Sequence, residues 1–509
     1  MLRPLITATA AVVLLAGCSG GDDKASESSS GSDNNGQQAS TPATPAVPSF
    51  DPPKAFTTAA AYPVPDFKGR ELYDDPKLGM VGQVALVANY RGLTGHDVVD
   101  PSKIWEIEST AADTTVVSDA TDPIAVKVNG KDAAVIAYAE ADKGNGTQKP
   151  QGLVLVQWID VASGQKLAEV STPVSTVNGT GVAAAGMPSL TNLQYDPQTG
   201  QVAIGVTARG NLIVKTQNAT VYADPQTKKS TVVPAVLPGA VHNGVVAGAN
   251  PESKTDAGDA GVLLIDGATG KVTKQIPLKQ GFLTPLTGGA KHAFFYGTVY
   301  AGATISETAA LFSVDLSTGT VVKSAPGLSA RDSGGYACTW DQVSSIVCTE
   351  AAATGPQEIL GFDDNTGKKE WGFTSESAGR VVPRVTAAFH GVVYVQTEKQ
   401  PVLLDAKTGQ DLPSASTSGS PSASSNDSPS AGDTPSGNDS PSGNDSPSSG
   451  ATPSDSRSAG GSDMSLYDGK PASPVAVSPY GGVYGQLPTG GGYGSGDLQS
   501  VLVYLKPTA

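Results

Sequence analysis

Short apolar runs separated by polar turns extend along most of the chain. Five of these runs end at an aspartate: LVLVQWI before Asp160, VLLI before Asp266, LFSV before Asp315, ILGF before Asp363 and PVLL before Asp405. Runs of this length, rich in Val, Ile, Leu and aromatic residues, are typical of β-strands. The pattern therefore predicts an all-β protein built from many short strands.

A turn sequence of the form Asp-x-x-Ser/Thr-Gly follows each of these runs. It reads DVASG, DGATG, DLSTG, DDNTG and DAKTG, and a degenerate copy, DPQTK, starts at Asp224. The Asp side chain can accept hydrogen bonds from backbone N–H groups two residues on, and Gly adopts the positive φ that returns the chain into the next strand. Each copy therefore predicts the turn of a β-hairpin.

The spacing of these turns indicates the architecture. From Asp224 to Asp405 they recur every 42 to 49 residues, a period that suits one four-stranded blade of a β-propeller. A second hairpin precedes the turns, for example around Asn129-Gly130. We therefore expect a propeller of four-stranded antiparallel blades over residues 66–509. Seven blades are predicted, starting near Pro123, Leu190, Gly239, Ala290, Gly335, Arg384 and Val475.

The two ends of this region are expected to close the ring together. VAVSPYGGVYGQL and SVLVYLKPT near the C-terminus would supply three strands of the last blade, and KIWEIES at 103–109 would supply its outer strand. Eight blades are the alternative, if residues 68–120 form more than a closing strand.

The repeating unit resembles that of the PQQ-like (quinoprotein alcohol dehydrogenase-like) β-propeller family. The copies that resemble it most are HGVVYVQTEKQPVLLDAKTGQ at 390–410 and ILGFDDNTGKKEW at 359–371, in which Trp371 stands four residues after the glycine. Other copies carry a different residue at that place: Ala168, Lys274, Lys323 and Pro413. The resemblance implies a propeller fold. Enzymes of the family hold a quinone on the propeller axis with a calcium ion, above a tryptophan floor and beside a catalytic Asp, and many have a disulfide between adjacent cysteines. The resemblance would imply the same features here. No two cysteines are adjacent here and the chain has four tryptophans, so we expect no such cofactor.

The N-terminus predicts secretion and lipid anchoring. Residues 1–17 have one early arginine and a short apolar stretch, and Leu15-Ala16-Gly17-Cys18 at its end resembles the lipobox of bacterial lipoproteins. An ordinary signal peptide with a chance cysteine is the alternative. Lipidation of Cys18 (a palmitate-type acyl anchor) would hold the mature protein on the extracytoplasmic face of the cell membrane. Residues 18–65 are rich in Ser, Gly, Asp and Pro and are expected to form a disordered linker.

A second low-complexity tract interrupts the repeats. Residues 411–463 contain the near-repeat SGNDSPSGNDSPSSG and are expected to form a disordered loop inserted into the propeller. The tract and the linker hold part of the 60 Gly and 37 Pro of the 509 residues. The formal net charge of −15 argues against nucleic-acid binding, which needs a basic surface.

Three cysteines are present, and Cys338 and Cys348 remain when Cys18 is set aside. They flank a polar turn in YACTWDQVSSIVCTE, so they fall opposite each other in a hairpin. In an oxidising compartment this predicts a cross-strand disulfide. A redox-active or metal-binding pair is the alternative.

Few side chains suggest chemistry. His242, His292 and His390 fall at equivalent first-hairpin turns of three blades, where imidazoles could converge on a metal or respond to pH, although tolerated polar turn residues are the simpler interpretation. The sequence contains no GxxxxGK[ST] or HExxH pattern, and its one GxSxG match, GCSGG at 17–21, lies at the end of the predicted signal peptide and not between a strand and a helix. We therefore predict no catalytic residues, no cofactor and no enzymatic activity.

These features together predict a lipid-anchored extracytoplasmic propeller. It would act as a non-enzymatic binding or scaffold module for a protein or cell-envelope ligand on one rim. Two alternatives remain at this point: a quinone-dependent dehydrogenase, and the extracellular sensor subunit of a signalling system.

Deletion of residues 414–462 tests the interpretation of the Ser/Pro tract. The melting temperature should stay nearly unchanged, because a disordered loop contributes little to the core and its closure entropy varies slowly with length. A large drop in differential scanning calorimetry would mean that the tract is folded or docked.

Overall fold

The structure is a computed structural model that describes residues 48–509 apart from sixteen internal gaps. The gaps are residues 65–76, 90–91, 110–114, 143–146, 148–150, 175, 178–179, 182–187, 209–216, 251–259, 302–303, 330–334, 352–354, 378, 414–461 and 487–499. The signal peptide, Cys18 and most of the predicted linker and inserted loop lie outside the described residues, so these predictions remain untested.

Antiparallel sheets, which we call blades, account for nearly all strands of the described residues. Within a blade the strands are lettered a to d in order from the inner strand to the outer one. The first strand, β1 (Phe56–Pro63), belongs to the last blade. Blade 1 consists of β2 (Lys77–Val81), β3 (Val84–Asn89), β4 (Gly92–Asp97) and β5 (Ile104–Glu108), and blade 2 of β6 (Thr115–Ala120), β7 (Ile124–Val128), β8 (Lys131–Asp142), β9 (Gln151–Asp160) and β10 (Gln165–Pro173). A small hairpin of β11 (Thr176–Val177) and β12 (Thr180–Gly181) comes next. Blade 3 consists of β13 (Ser189–Tyr195), β14 (Val202–Ala208), β15 (Gln217–Asp224) and β16 (Lys229–Pro234), and blade 4 of β17 (Leu237–His242), β18 (Val245–Ala249), β19 (Ala260–Asp266) and β20 (Lys271–Gln280).

The second half of the ring has the same construction. Blade 5 consists of β21 (Phe282–Gly288), β22 (His292–Ala301), β23 (Thr304–Asp315) and β24 (Val321–Ser329), and blade 6 of β25 (Tyr336–Trp340), β26 (Ser345–Glu350), β27 (Glu358–Asp363) and β28 (Lys368–Thr374). Blade 7 consists of β29 (Arg384–Phe389), β30 (Val392–Gln396) and β31 (Pro401–Asp405). Blade 8 consists of β32 (Ala476–Ser478), β33 (Gly481–Gln486) and β34 (Val501–Pro507), with β1 as its outermost strand. A 3-10 helix at Met464–Leu466 precedes β32.

The described residues thus form an eight-bladed β-propeller, and the prediction of seven blades was wrong. The additional blade is blade 1, which the sequence analysis allowed only as an alternative. Its c–d turn, residues 98–103, lacks the Asp-x-x-Thr-Gly sequence that marks most other blades. The segment KIWEIES accordingly forms β5, the outer strand of blade 1, and does not close the ring.

Strand β1 closes the ring instead. It pairs antiparallel with β34, from Phe56 opposite Pro507 to Pro63 opposite Val501. Residues 56–63 were expected to lie in the disordered linker. They form a strand because the small side chains of Ala60 and Ala61 and the ring of Tyr62 are buried against blade 8 and its neighbours.

The inserted tract begins and ends on folded parts of the ring. Over the described residues blade 7 has three strands, and Asp411 and Leu412 extend it: Asp411 bridges Leu404, and the Leu412 N–H donates to the Leu403 carbonyl. After the tract, the Asp463 N–H donates to the carbonyl of Ala61 in β1. Asp411 and Asp463, both predicted to lie in the disordered loop, are therefore bonded to the blades.

The core lies between adjacent blades rather than in one central mass. Side chains alternate between the two faces of each strand. In β8, Ile136 and Tyr138 pack towards blade 1, whereas Val135 and Ala137 pack towards blade 3. Each sheet is therefore buried on both faces, which explains why the strands read as continuous apolar runs.

The Asp-x-x-Ser/Thr-Gly turns have the predicted geometry. In the DAKTG turn, Asp405 Oδ1 accepts the N–H groups of Lys407 and Thr408 at 3.0 and 2.8 Å, and the Gly409 N–H donates to the Asp405 carbonyl at 2.8 Å. Gly409 has φ 66°, and the four corresponding glycines lie between 67° and 69°. Lys228 holds the same place in the degenerate copy, with φ 53°.

The cross-strand disulfide is confirmed. Cys338 in β25 stands directly opposite Cys348 in β26, and their sulfur atoms are bonded. The pair ties the two inner strands of blade 6.

Replacement of Gly409 by alanine should destabilise the fold by about 2 kcal/mol, because a side chain at positive φ is strained and the new Cβ would lie 2.3 Å from the Trp371 ring. Gly391→Ala is the matched control: Gly391 also has positive φ, 87°, but no atom lies within 4 Å of the added carbon. Thermal unfolding of both variants checks this. Equal losses of stability would contradict a role for the contact with Trp371.

Candidate functional site

The a–b and c–d hairpin turns of all blades lie at the same end of the ring, which we call the turn end. The b–c and d–a connections lie at the opposite end, which we call the connection end. His242, His292 and His390 all occur at a–b turns, as the sequence predicted, and therefore at the turn end. Their partners show what they do there.

His242 contacts a buried carboxylate of the preceding blade. Its Nδ1 lies 3.3 Å from Asp196 Oδ2, and that oxygen also accepts the N–H of Asn243 at 2.9 Å. Burial raises the pKa of Asp196, but hydrogen bonds from His242, Asn243 and Gln198 outweigh it and leave the pKa below its usual value. The hydrogen bond to Asp196 raises the pKa of His242. The pair joins blade 3 to blade 4.

The turn that carries His390 repeats this arrangement between blades 6 and 7. Asp341 is fully buried; its Oδ1 accepts three N–H groups of its own turn, from Val343 to Ser345, and its Oδ2 accepts the N–H of Gly391 at 3.1 Å. The His390 N–H donates to the Asp341 carbonyl at 2.8 Å. The imidazole itself pairs through Nδ1 with Asp51 of the N-terminal segment.

His292 is buried between blades 5 and 6. Its N–H donates to Asp364 Oδ1 at 2.9 Å, the Lys291 N–H donates to Asp364 Oδ2 at 3.1 Å, and its Nδ1 contacts the Asp364 carbonyl oxygen. Burial raises the pKa of Asp364, and hydrogen bonds from the two N–H groups partly offset this effect.

The three histidines therefore do not converge. Each one contacts a different aspartate: Asp196, Asp364 or Asp51. Among the described residues no group of three or more His, Cys, Asp or Glu side chains could hold a metal ion. The geometry of these turns supports a structural role, in which they hold neighbouring blades together. Asp196 and Asp341 were missed by the sequence analysis, although both directly follow an aromatic residue at the end of an a strand, in LQYD and CTWD.

A cavity of about 330 Å³ opens at the turn end beside His390. It lies where the N-terminal segment crosses blade 7, and its lining carries charge of both signs from Lys54, Lys407 and Asp405. Pro52 and Val343 supply apolar surface. The N-terminal segment therefore forms part of the wall.

Side chains of blade 3 reach past blade 4 near the axis of the ring. Asn192 Nδ2 donates to the carbonyl of Pro285 in β21 at 3.0 Å, and Gln194 Oε1 accepts the Gly288 N–H at 3.1 Å. The rings of Tyr195 and Trp340 in β25 lie 6.4 Å apart. Protein groups thus occupy the axial region between β13 and blades 5 and 6.

The residues present do not fit the quinone site that the family resemblance implies. Trp105, Trp158 and Trp371 each donate the indole N–H to a backbone carbonyl of the next blade, at 2.7 to 3.1 Å. Trp340 is only 8% exposed and packs between blades 5 and 6. All four indoles therefore take part in packing.

One buried acid between blades 1 and 2 has unusual surroundings. Glu140 is 3% exposed, and its Oε1 has no hydrogen-bond partner among the described residues. Burial, followed by the charge of Glu169, raises the pKa of Glu140 to about 7. No pattern in the sequence marked this residue, because Glu169 lies in another strand of the blade, 29 residues further along the chain.

No family model matches the chain, and no curated protein sequence matches it. Solved structures similar to it include uncharacterized protein lmo1340 from Listeria monocytogenes EGD-e (10% identity, 70% of this chain and 94% of that one, TM-score 0.36). Others are quinohemoprotein alcohol dehydrogenase from Comamonas testosteroni (12%, 70% and 68%, TM-score 0.36) and dihydro-heme d1 dehydrogenase NirN (13%, 73% and 75%, TM-score 0.41). Likeness at this level carries no argument about activity. The propeller architecture follows from the strand pairings described above.

The fourth histidine, His96, should make the stability of the ring sensitive to acid. It is 4% exposed and stacks on Tyr62 of the closing strand at 4.5 Å, and burial lowers its pKa to about 4. In the unfolded chain His96 has a pKa near 6.5, so between pH 6.5 and 4 the unfolded state binds more protons than the folded state. The free energy of unfolding therefore decreases as the pH falls through that window. Between pH 7 and 5 the free energy of unfolding should drop by about 2 kcal/mol more in the wild type than in His96→Phe. Denaturant titrations at the two pH values measure this, and equal drops would contradict it.

Proposed function

We propose that the chain is a lipid-anchored extracytoplasmic propeller that binds a protein or cell-envelope ligand without catalysing a reaction. The observation that carries this proposal is the difference between the two ends of the ring. The aspartates and histidines of the turn end are engaged in hairpin and blade contacts, so these polar groups serve the scaffold.

The connection end is built differently. The length of the segment that joins one strand to the next varies widely at this end. β20 ends at Gln280 and β21 begins at Phe282, whereas β8 ends at Asp142 and β9 begins only at Gln151. Segments that vary between blades on a repeated scaffold are where propellers and other folds place their binding residues. The ligand surface is therefore assigned to the connection end.

The anchor proposal rests on Cys18 and on the way the chain joins the ring. The closing strand β1, which lies within what was predicted to be the linker, is the first strand of the described residues, so the chain that follows Cys18 enters the fold at the seam of the ring. Among the described residues no helix is long and apolar enough to cross a bilayer.

Cys18→Ser should move the protein from the membrane fraction to the soluble extracytoplasmic fraction, because the acyl anchor is lost. Ser19→Ala is the control and should stay with the membrane. Immunoblots of the fractions give the result, and retention of Cys18→Ser in the membrane would contradict lipid anchoring.

Binding at the connection end is tested by photo-crosslinking on intact cells. A crosslinking amino acid at Glu398, in the b–c turn of blade 7, should yield a specific adduct. The same amino acid at Gln226, in the c–d turn of blade 3, should not. Dye reduction after addition of quinone and calcium to the purified protein is the complementary assay, and turnover there would overturn the non-enzymatic proposal.

A further inference from the structure

A second cavity, of about 230 Å³, opens between blades 1, 2 and 3 on the side that faces the axis of the ring. Its lining comes from β2, β6, β7 and β13, which are inner strands, and from the segment that joins β6 to β7. Lys77, Ile124 and Leu190 stand at one level of the ring, because each is paired with the fifth residue of its b strand. The cavity therefore lies where the inner strands begin, at the connection end.

The inner strand of blade 2 is interrupted beside this cavity. Residues 121–123 separate β6 from β7, and both of these strands pair with the long strand β8. The Thr121 N–H donates to the Ala137 carbonyl at 2.9 Å, and the Thr121 hydroxyl accepts the Ala137 N–H at 3.0 Å. Pro123 packs so closely on blade 1 that a Cβ added to Gly79 would lie 2.2 Å from the Pro123 carbonyl oxygen. The wall that blade 2 contributes is thus held in place by contacts with β8 and with blade 1.

A carboxylate and an ammonium group line the cavity, and neither has a counter-ion. Asp119 Oδ1 accepts the N–H of Ala120, and Asp119 Oδ2 accepts the N–H of Leu190 in blade 3, both at 2.9 Å. Among the described residues neither Asp119 nor Lys77 forms an ion pair, and the Lys77 ammonium donates no hydrogen bond. A carboxylate offers about four acceptor positions, so Asp119 can receive a further donor while it keeps both N–H groups.

Aliphatic side chains form the rest of the lining that matters for a ligand. Ile124, Leu190 and Leu193, which we call the aliphatic wall, line the cavity and pack against the core between blades 2 and 3. Asn192 also lines the cavity, and its Nδ2 is bound to the Pro285 carbonyl at 3.0 Å. The volume is just below the roughly 300–1,000 Å³ of pockets that take drug-sized ligands, so it suits a ligand about as large as one amino acid.

We infer that this cavity binds an aliphatic α-amino acid in its zwitterionic form. The ligand carboxylate pairs with Lys77, its ammonium group pairs with Asp119, and its side chain contacts the aliphatic wall. A ligand with a single charge would displace water from both protein groups and leave one of them without a partner, which is unfavourable. A zwitterion satisfies both groups at once.

A third charged side chain of the lining, Asp122, favours the same ligand. Its Oδ1 accepts the Leu78 N–H of blade 1 at 3.2 Å, and its charge adds to the negative potential that attracts an ammonium group. This site goes beyond the function proposed above, because it depends neither on the anchor at Cys18 nor on a protein or cell-envelope ligand. Either proposal can fail while the other stands.

Matched ligands test the inference on the full-length protein purified in detergent. Leucine carries both charges, isocaproate lacks the ammonium group, and isoamylamine lacks the carboxylate. In isothermal titration calorimetry leucine should bind at one site, and each analogue should bind about ten-fold more weakly, because it loses one charge-assisted hydrogen bond. Failure of leucine to bind would overturn the inference. Isoamylamine that binds as tightly as leucine would also overturn it, since the cavity would then be a simple cation site.

Two variants assign the charges of the ligand to their partners. Lys77→Gln should weaken leucine binding about ten-fold and leave isoamylamine binding unchanged, whereas Asp119→Asn should weaken leucine binding and leave isocaproate binding unchanged. Lys229→Gln, at an exposed lysine of the turn end, is the charge-matched control and should bind leucine as the wild type does. Because Lys77 has no ion pair to lose, Lys77→Gln should keep the wild-type melting temperature and decides the matter even if Asp119→Asn does not fold. Unchanged leucine affinity in Lys77→Gln would contradict the site.

Discussion

One contact recurs at most junctions between neighbouring blades among the described residues: a side chain on the outer strand of one blade donates to a carbonyl in the c–d turn of the next. Trp105 reaches Val161, Thr231 reaches Ala268, Ser313 and Ser324 reach Gly367, and Trp371 reaches Ala406. Ser313 lies on the adjoining c strand and supports the same carbonyl. The Asp-x-x-Thr-Gly turn allows the contact because its aspartate satisfies the N–H groups of the turn and leaves carbonyl oxygens free to accept. The same five residues therefore close a hairpin and receive the neighbouring blade.

Different side chains can act as the donor because the acceptor is a backbone carbonyl oxygen in every case. Lysine fills the role in blade 4, where the Lys274 ammonium contacts the Thr318 carbonyl and its stem covers Gly319. The a–b turns add a second tier of contacts through Asp196 and Asp341, which connect consecutive blades at 2.9 and 3.1 Å. Buried carboxylates with several N–H donors hold a fixed orientation, so adjacent blades are kept in register.

Much of the fold could be predicted because its turns are local. Asp405 and Gly409 lie in one hairpin, and Cys338 and Cys348 flank another, so spacing alone places them. Blade 1 was missed because its c–d turn has a different sequence, and β1 was missed because FTTAAAYP has few large apolar side chains. The partners of Asp196 and Asp364 lie 47 and 72 residues away, and no local pattern reports a contact at that distance. The candidate site was predicted in position, since the histidines lie at turns, but their separate aspartate partners could be found only in three dimensions.

The pairing of β1 with β34 also determines the order in which the molecule can be assembled. These strands are the first and the last of the ring to be synthesised, and more than four hundred residues separate Phe56 from Val501. Contacts between such distant segments form slowly because the intervening chain must first be brought together. Until β34 exists, β1 has no partner and blade 1 has no neighbour on one side. We therefore expect folding to end at the seam, where Tyr62 stacks on His96, and the strand edges left exposed before that step to be the sites at risk of aggregation.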